Sequence, residues 1–389
     1  MSTPYVLNFG AGPAKIPKSV LERAQSEMLN YDNSGMSVME LSHRSKTFSK
    51  ILEGTKSKLK SLMEIPDNYD ILFMQGGATT QFAAVFYNLV AAKQSKNGNT
   101  DDEVIVDYIV SGAWSNKAVQ EAERLAKNER SKITVHRVTD SKKQFGKYGS
   151  LAAQDTWQLS DPNKTAYVYY CDNETVHGVE FPTIPEVDPS VPLVADVSSN
   201  FLSRRLDVSK FGVIYGGAQK NLGPAGVSIV IIRKDLLVDL NIGPVRPLML
   251  DFSTMANNDS MYNTPPTFAI YMVGLVLEWI MEQGGLPAIE ERNKRKADKL
   301  YKVIDQSKLY RSPVDVNCRS RMNVVFRLAS EELEQAFLTG VAERNMVQLK
   351  GHRSVGGIRA SIYNSMPEQD VDLLIAYMIE FEKTHTANE

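Results

Sequence analysis

The chain is poor in the features that mark a disulfide scaffold, a membrane protein or a general nucleic-acid binder. Its 389 residues include only two cysteines, Cys171 and Cys318. Neither stands in a C-x-x-C pair, which argues against a cystine framework and a structural zinc site, so no metal is expected. The longest apolar stretch near the middle, Phe268 to Leu277, stops at Glu278, well short of the ~20 residues that cross a bilayer. From Met1 to Lys15 no basic start leads into an apolar run; no secretory leader is expected, and the cytoplasm is the expected compartment. Charge of one sign is also missing: 44 Lys+Arg against 46 Asp+Glu leave −2. Nucleic-acid binders carry a basic excess, so any site that reads charge must be local.

What remains is ordinary globular composition, 43% apolar and 23% charged, with length for two to three domains. Apolar β-branched runs alternate with helical stretches. The runs are Asp70–Met74, Glu103–Val110, Lys132–Val138, Ala166–Cys171, Pro192–Val197, Phe211–Tyr215 and Gly226–Ile232. Near-continuous apolar runs fit strands buried on both faces, and their alternation with helices predicts an α/β fold with a mostly parallel sheet. After Pro265-Pro266 the pattern changes to long helices, with a strand near Arg321–Leu328 and a capping box at Ser365-x-x-Glu368. This predicts a large domain over 17–265 and a smaller α+β domain from 1–16 and 266–389.

The unusual residues follow the predicted strands, where sites in such sheets gather. Gly10-Ala11-Gly12 lacks the third glycine of a dinucleotide fingerprint, and neither a P-loop nor a G-x-S-x-G elbow occurs. Gln75-Gly76-Gly77-Ala78-Thr79-Thr80 reads either as an anion cradle at a helix start or as a plain β–α turn. Trp114, in Ser111–Ser115, either stacks on a planar ring or closes the core. Asn173-Glu174-Thr175 brings three polar residues to a strand end. Asp196 lies inside an apolar strand and calls for a cation or a turn to cap. Lys220, between glycine-rich turns, is a candidate Schiff-base lysine, although most lysines are surface residues. An anion cradle, a stacking ring, an acid and a lysine at one sheet edge match the needs of pyridoxal phosphate. Ser42-His43-Arg44-Ser45 and Gly351–Ser361, which holds His352, Arg353 and Arg359, add arginines suited to a doubly anionic substrate, or to surface ion pairs.

In order and spacing these segments resemble the phosphoserine aminotransferase family, fold-type I enzymes of the class V aminotransferases, with the look of a eukaryotic member. The resemblance runs from Asn8–Pro17 through Met39–Ser45, Gly76–Phe82, Gly112–Ser115, Asn173–Thr175, Asp196–Ser199, Gly217–Gly226 and Tyr262–Phe268 to Gly351–Ser361. It implies a fold-type I transferase that moves the amino group of L-glutamate to 3-phosphohydroxypyruvate in serine biosynthesis. By resemblance, Lys220 carries pyridoxal 5'-phosphate, Asp196 pairs with the ring nitrogen, Trp114 stacks and Thr175 faces the phenolic oxygen. Ala78, Thr79 and Gln219 serve the phosphate. Asn263 and Thr264 reach the phosphate of a neighbouring subunit, which implies a homodimer. Many bacterial relatives have an arginine where this chain has Thr79. Arg359 takes the α-carboxylate, and His43, Arg44, His352 and Arg353 take the distal anion. A rival in the same fold, a cysteine desulfurase, needs a reactive cysteine on a mobile loop.

Overall fold

The computed structural model describes residues 5–98 and 102–386; the ends of the expected small domain, 1–4 and 387–389, lie outside them. Seven strands form the central sheet: β1 (Tyr69–Gln75), β2 (Val104–Val110), β3 (Ile133–Asp140), β4 (Thr165–Cys171), β5 (Leu193–Asp196), β6 (Val213–Gly217) and β7 (Val227–Arg233). Their spatial order is β1-β7-β6-β5-β4-β2-β3. Only β7 runs against the others, pairing antiparallel with β1 and β6. The remaining six share one direction, so their carboxyl ends open on one edge.

The sheet is covered on both faces, and the period-two alternation of a strand divides its side chains between two cores. Phe73, Val168, Ala195, Ile214 and Ile229 join one core with helices α1 (Lys46–Met63) and α4 (Thr267–Glu282). Met74, Tyr169, Val194, Tyr215 and Val230 join the other with α2 (Ala78–Asn97) and α3 (Ala113–Ala126). β7 shows why the apolar runs are unbroken: Ile229, Val230, Ile231 and Ile232 are all fully buried, each contributing about 1.5–3 kcal/mol.

A third core unites Leu7 and Phe9 with residues from Ala297 to Phe381. Here Leu7–Asn8 pairs parallel with Met346–Val347, and Asn323–Phe326 pairs antiparallel with Ile358–Ser361. The expected division at 265/266 falls before α4, yet Ile270, Val273 and Ile280 of α4 pack in the sheet's own core. Packing changes hands within α5 (Gly285–Gln306), whose Leu286 and Ile289 face the large core and whose Ala297 and Leu300 face the small one. Ser330 caps α6 (Glu331–Glu343) through the Leu333 amide, as the sequence suggests. The expected capping box at Ser365 does not form. The Ser365 hydroxyl instead donates to the carbonyl of Lys15, and Glu368, the first residue of α7 (Glu368–Thr386), pairs with Lys299 and Arg295. A tertiary partner displaces the local one.

Candidate active site

Asp196 ends β5, the middle strand, level with Cys171 of β4 and Tyr215 of β6. It is buried. Oδ1 accepts from the Ser198 amide at 2.9 Å and the Ser198 hydroxyl at 2.6 Å, while Oδ2 has only the long Tyr215 hydroxyl contact at 3.4 Å. Burial raises its pKa, and the Ser198 hydrogen bonds oppose that. One oxygen is thus fixed, and the other is left to accept from a further donor.

Lys220 follows β6. Its Nζ donates to Thr175 Oγ1 at 2.7 Å and lies 5.6 Å from the Trp114 ring centre. Burial lowers its pKa, with Arg359 adding to that and Asp196 opposing it. The uncharged amine is the form that attacks carbonyl carbon and moves protons, and a lowered pKa favours it. The turn from Gly10 to Pro13 closes over it: a Cβ on Gly12, at φ +131°, would come within 3.2 Å of Lys220 Cγ.

Thr175 binds both domains. While its hydroxyl meets Lys220, its carbonyl accepts from Arg359 Nη1 at 3.4 Å, across from the small-domain strand Ile358–Ser361. Among the described residues no acid pairs with Arg359; its Nε is buried without a partner, and burial lowers its pKa. A guanidinium left this way can pair with an incoming anion. Trp114 Nε1 is likewise buried and unpartnered.

The glycine turn after β1 leads straight into α2, whose N-cap is Gly77. The amides of Ala78 and Thr79 fall among the first four of the helix, which lack an intrahelical acceptor and favour an anion. Gln219 sits beside Lys220, its carbonyl accepting from the Ala14 amide. Asn263 and Thr264 are tethered to Gln75 of the same chain, whose Nε2 donates to the Thr264 carbonyl at 2.7 Å.

The His–Arg motifs separate. His352 and Arg353 are exposed on the loop before Arg359. Burial and the cations Arg359, Lys117 and Arg353 lower the His352 pKa, which places it in the field of the site. No hydrogen bond or ion pair among the described residues joins His43 or Arg44 to the Lys220 cluster. A third such pair, His136–Arg137 on β3, is taken up by Asp107, Glu123 and Asp140, so the dipeptide alone is not the signal.

Sequence reasoning left one residue without a role. Glu174 is fully buried and among the described residues forms no ion pair; its carboxylate accepts from the Trp114 amide (2.9 Å), the Ser115 amide (2.8 Å) and the Ser115 hydroxyl (2.6 Å). It anchors the start of α3 and with it Trp114. The motifs at 112–115 and 173–175 were both visible in sequence; the bond between them was not, because nothing local marks a contact 60 residues apart.

Pyridoxal phosphate fits this set on the structure's own evidence. The lysine amine, the half-satisfied Asp196 carboxylate, the unpartnered Trp114 Nε1 and Arg359 Nε, and the open helix start form one edge. No cluster of potential metal ligands occurs among the described residues.

The aminotransferase class-V family model matches residues 6–374. A phosphoserine aminotransferase of Nitrosomonas europaea is 48% identical over 98% of this chain and 99% of its own. One from Drosophila melanogaster is 49% identical with the same coverage, so identity does not separate bacterial from animal relatives. The solved structure of pyridoxal-phosphate-bound phosphoserine aminotransferase from Trichomonas vaginalis superposes with a TM-score of 0.87 at 41% identity, covering 96% of this chain and 99% of that one. The chain therefore belongs to the class-V aminotransferases and, among them, to the phosphoserine aminotransferase family.

Proposed function

We propose that this enzyme transfers the amino group of L-glutamate to 3-phosphohydroxypyruvate, giving 2-oxoglutarate and O-phospho-L-serine, with pyridoxal phosphate as cofactor. The observation that carries the reading is the double use of Thr175, which sets the Lys220 amine beside an Arg359 guanidinium that has no acid of its own. When bound, the cofactor supplies an aldehyde for amine exchange and a ring that takes up the electrons released at Cα.

The chain's residues do the rest. Lys220 would anchor the cofactor, then take the Cα proton and return it to the cofactor's C4′ carbon, as base and then acid. Asp196 keeps the ring nitrogen protonated through Oδ2, Trp114 covers the ring and Thr175 faces its oxygen. Ala78, Thr79 and Gln219 hold the phosphate; with Thr79 in place of arginine, amides carry that contact. Arg359 grips the α-carboxylate with a planar fork. His43, Arg44, His352 and Arg353 form the distal anion site, which takes the γ-carboxylate of glutamate in one half-reaction and a phosphate in the other. His43 and Arg44, unconnected to their own chain's cluster, together with Asn263 and Thr264, support a homodimer with shared sites. No described helix is long and apolar enough to cross a membrane, and two free, buried cysteines support a cytoplasmic enzyme. They also weigh against a desulfurase: burial raises the pKa of Cys171, and that of Cys318 to about 11, so neither is a ready thiolate.

The purified enzyme should be yellow, bleach with glutamate and recover with 3-phosphohydroxypyruvate. Indifference of the spectrum to the phosphorylated acid would sink the assignment. Lys220→Ala should abolish turnover while glutamate still binds; retained turnover would remove Lys220 from the chemistry.

A further inference from the structure

A cleft of about 870 Å³ opens beside the site, between the start of α3, the turn after β3 and the small-domain loop at 354–356. Its walls carry Lys117, Lys142, Lys143, Lys147 and Arg327 against a single acid, Asp140. That acid is already engaged. It pairs with Arg137 at 3.2 Å and caps the amides of Lys142 and Lys143. Arg327 is paired with Glu334. Among the described residues none of the four lysines has an ion-pair partner, and all four are exposed.

The cleft reaches the chemistry. Lys117 Nζ lies 4.5 Å from the Trp114 ring centre and Lys220 Nζ 5.6 Å from it, so the two amines are at most about 10 Å apart. His177, on the inner wall, accepts the Ala113 amide at Nδ1 (3.3 Å) and packs on Tyr148. It adds no charge: burial, with His352 and Lys142 nearby, holds its pKa down at about 4.

We infer that this cleft is an anion-gathering vestibule, in which Lys142, Lys143 and Lys147 concentrate multiply anionic, phosphate-bearing acids at the mouth of the site. The need is plain from the composition. A net charge of −2 gives no long-range attraction for an anionic substrate, so the attraction must come from a local concentration of one sign. Clefts lined this way raise local counter-ion concentration and association rates by about 10- to 10³-fold, and salt removes the gain. The effect enters kcat/KM, through encounter or through local concentration, and leaves kcat alone. It scales with substrate charge, so the phosphorylated oxo acid gains more than glutamate. The inference rests on the proposed function for its substrate, though not for its electrostatics.

The test is the holoenzyme carrying Lys142→Gln, Lys143→Gln and Lys147→Gln together. These side chains are exposed and make no catalytic contact, so folding should be unaffected. At low ionic strength kcat/KM for 3-phosphohydroxypyruvate should fall roughly tenfold, with kcat unchanged, a smaller fall for glutamate and a flatter dependence on salt. A triple variant with the parent's kcat/KM and salt slope would overturn the vestibule. So would an equal fall for both substrates that salt does not alter. Should the parent ignore the phosphorylated acid, the functional assignment fails. Sulfate inhibition of the glutamate-driven spectral change then decides the vestibule alone: the variant should need several-fold more sulfate, and equal inhibition refutes it.

Discussion

Gly112 and Glu174 can be tested as a single device. A Cβ on Gly112 would lie 2.4 Å from Glu174 Cδ, 2.5 Å from Cγ and 2.6 Å from Oε2. The backbone there, at φ −172°, is extended and suits any residue, so Gly112→Ala acts through this contact alone. The carboxylate is not a flexible end that can swing aside, because three donors hold it. To admit the methyl it must release the Trp114 and Ser115 amides, each costing about 1–3 kcal/mol when left buried without an acceptor. Glu174→Ala strands the same two amides, while the Ser115 hydroxyl keeps its Gly112 carbonyl at 3.3 Å. Either substitution should therefore cost about 2–6 kcal/mol. In the double variant the clash partner is gone, and the cost should match that of Glu174→Ala alone, so the coupling should equal the whole cost of Gly112→Ala. Urea unfolding of the four proteins at matched protein and cofactor concentration measures it, and in a background with Trp157→Phe and Trp279→Phe the fluorescence of Trp114 reports the start of α3. Additive costs, or an unperturbed Gly112→Ala, would refute the tether.

Three further outcomes follow from the geometry. Arg359→Ala should lower kcat/KM for both substrates by roughly 10²- to 10³-fold, the loss of a charge-assisted fork, and Arg359→Lys should restore little; unequal effects on the two substrates would count against a shared carboxylate clamp. His177 is pushed down from 6.5 to about 4, mainly by burial. The unfolded chain therefore binds a proton that the native state refuses, and stability falls as pH drops through that window, by about 2 kcal/mol at pH 5. His177→Gln should remove that part of the acid sensitivity in urea unfolding at pH 7 and 5, and an unchanged slope would show that the ring is not the titrating group. Lys296, fully buried, donates to the carbonyls of Ile362, Tyr363 and Met366 at 2.8–3.1 Å. Lys296→Met should cost about 2–4 kcal/mol by stranding them; a neutral result in the same assay would mean water or rearrangement replaces the amine.

The strands, and the polar residues that the structure gathers at their carboxyl edge, were readable because those residues break the apolar pattern. A lysine between glycines after Tyr215 and an aspartate at the end of Leu193–Asp196 stand out against unbroken apolar runs, and chain order places them on one edge once the strands are parallel. The reversed direction of β7 was not readable, since a strand buried on both faces has the same composition in either sense. Nor was the attachment of α4 to the large core: Pro265-Pro266 marks a break in the chain, not in the packing. Ser365-x-x-Glu368 obeys the local capping rule, but the Lys15 carbonyl and the Lys299 and Arg295 cations claim its two side chains, and a local rule has no access to such partners.

That same dependence on distant partners explains why Arg359 is placed as it is. A half-buried guanidinium without an acid weakens a fold, and a nearby carboxylate of the chain's own would relieve it. Such a carboxylate would also occupy the fork and exclude the substrate. The structure instead gives Arg359 one long bond to the Thr175 carbonyl, enough to orient it and too little to neutralise it. In the proposed clamp role its counter-charge arrives with the ligand, so substrate binding would complete an ion pair that the fold leaves open and would stabilise the protein by linkage. The strand bearing Arg359 runs on to Asn364, whose amide donates to Asn221 Oδ1 at 3.0 Å, next to Lys220. Arg359 and Lys220 are thus held in one frame although their strands belong to different cores, and under the proposed function the missing charge is the substrate's to supply.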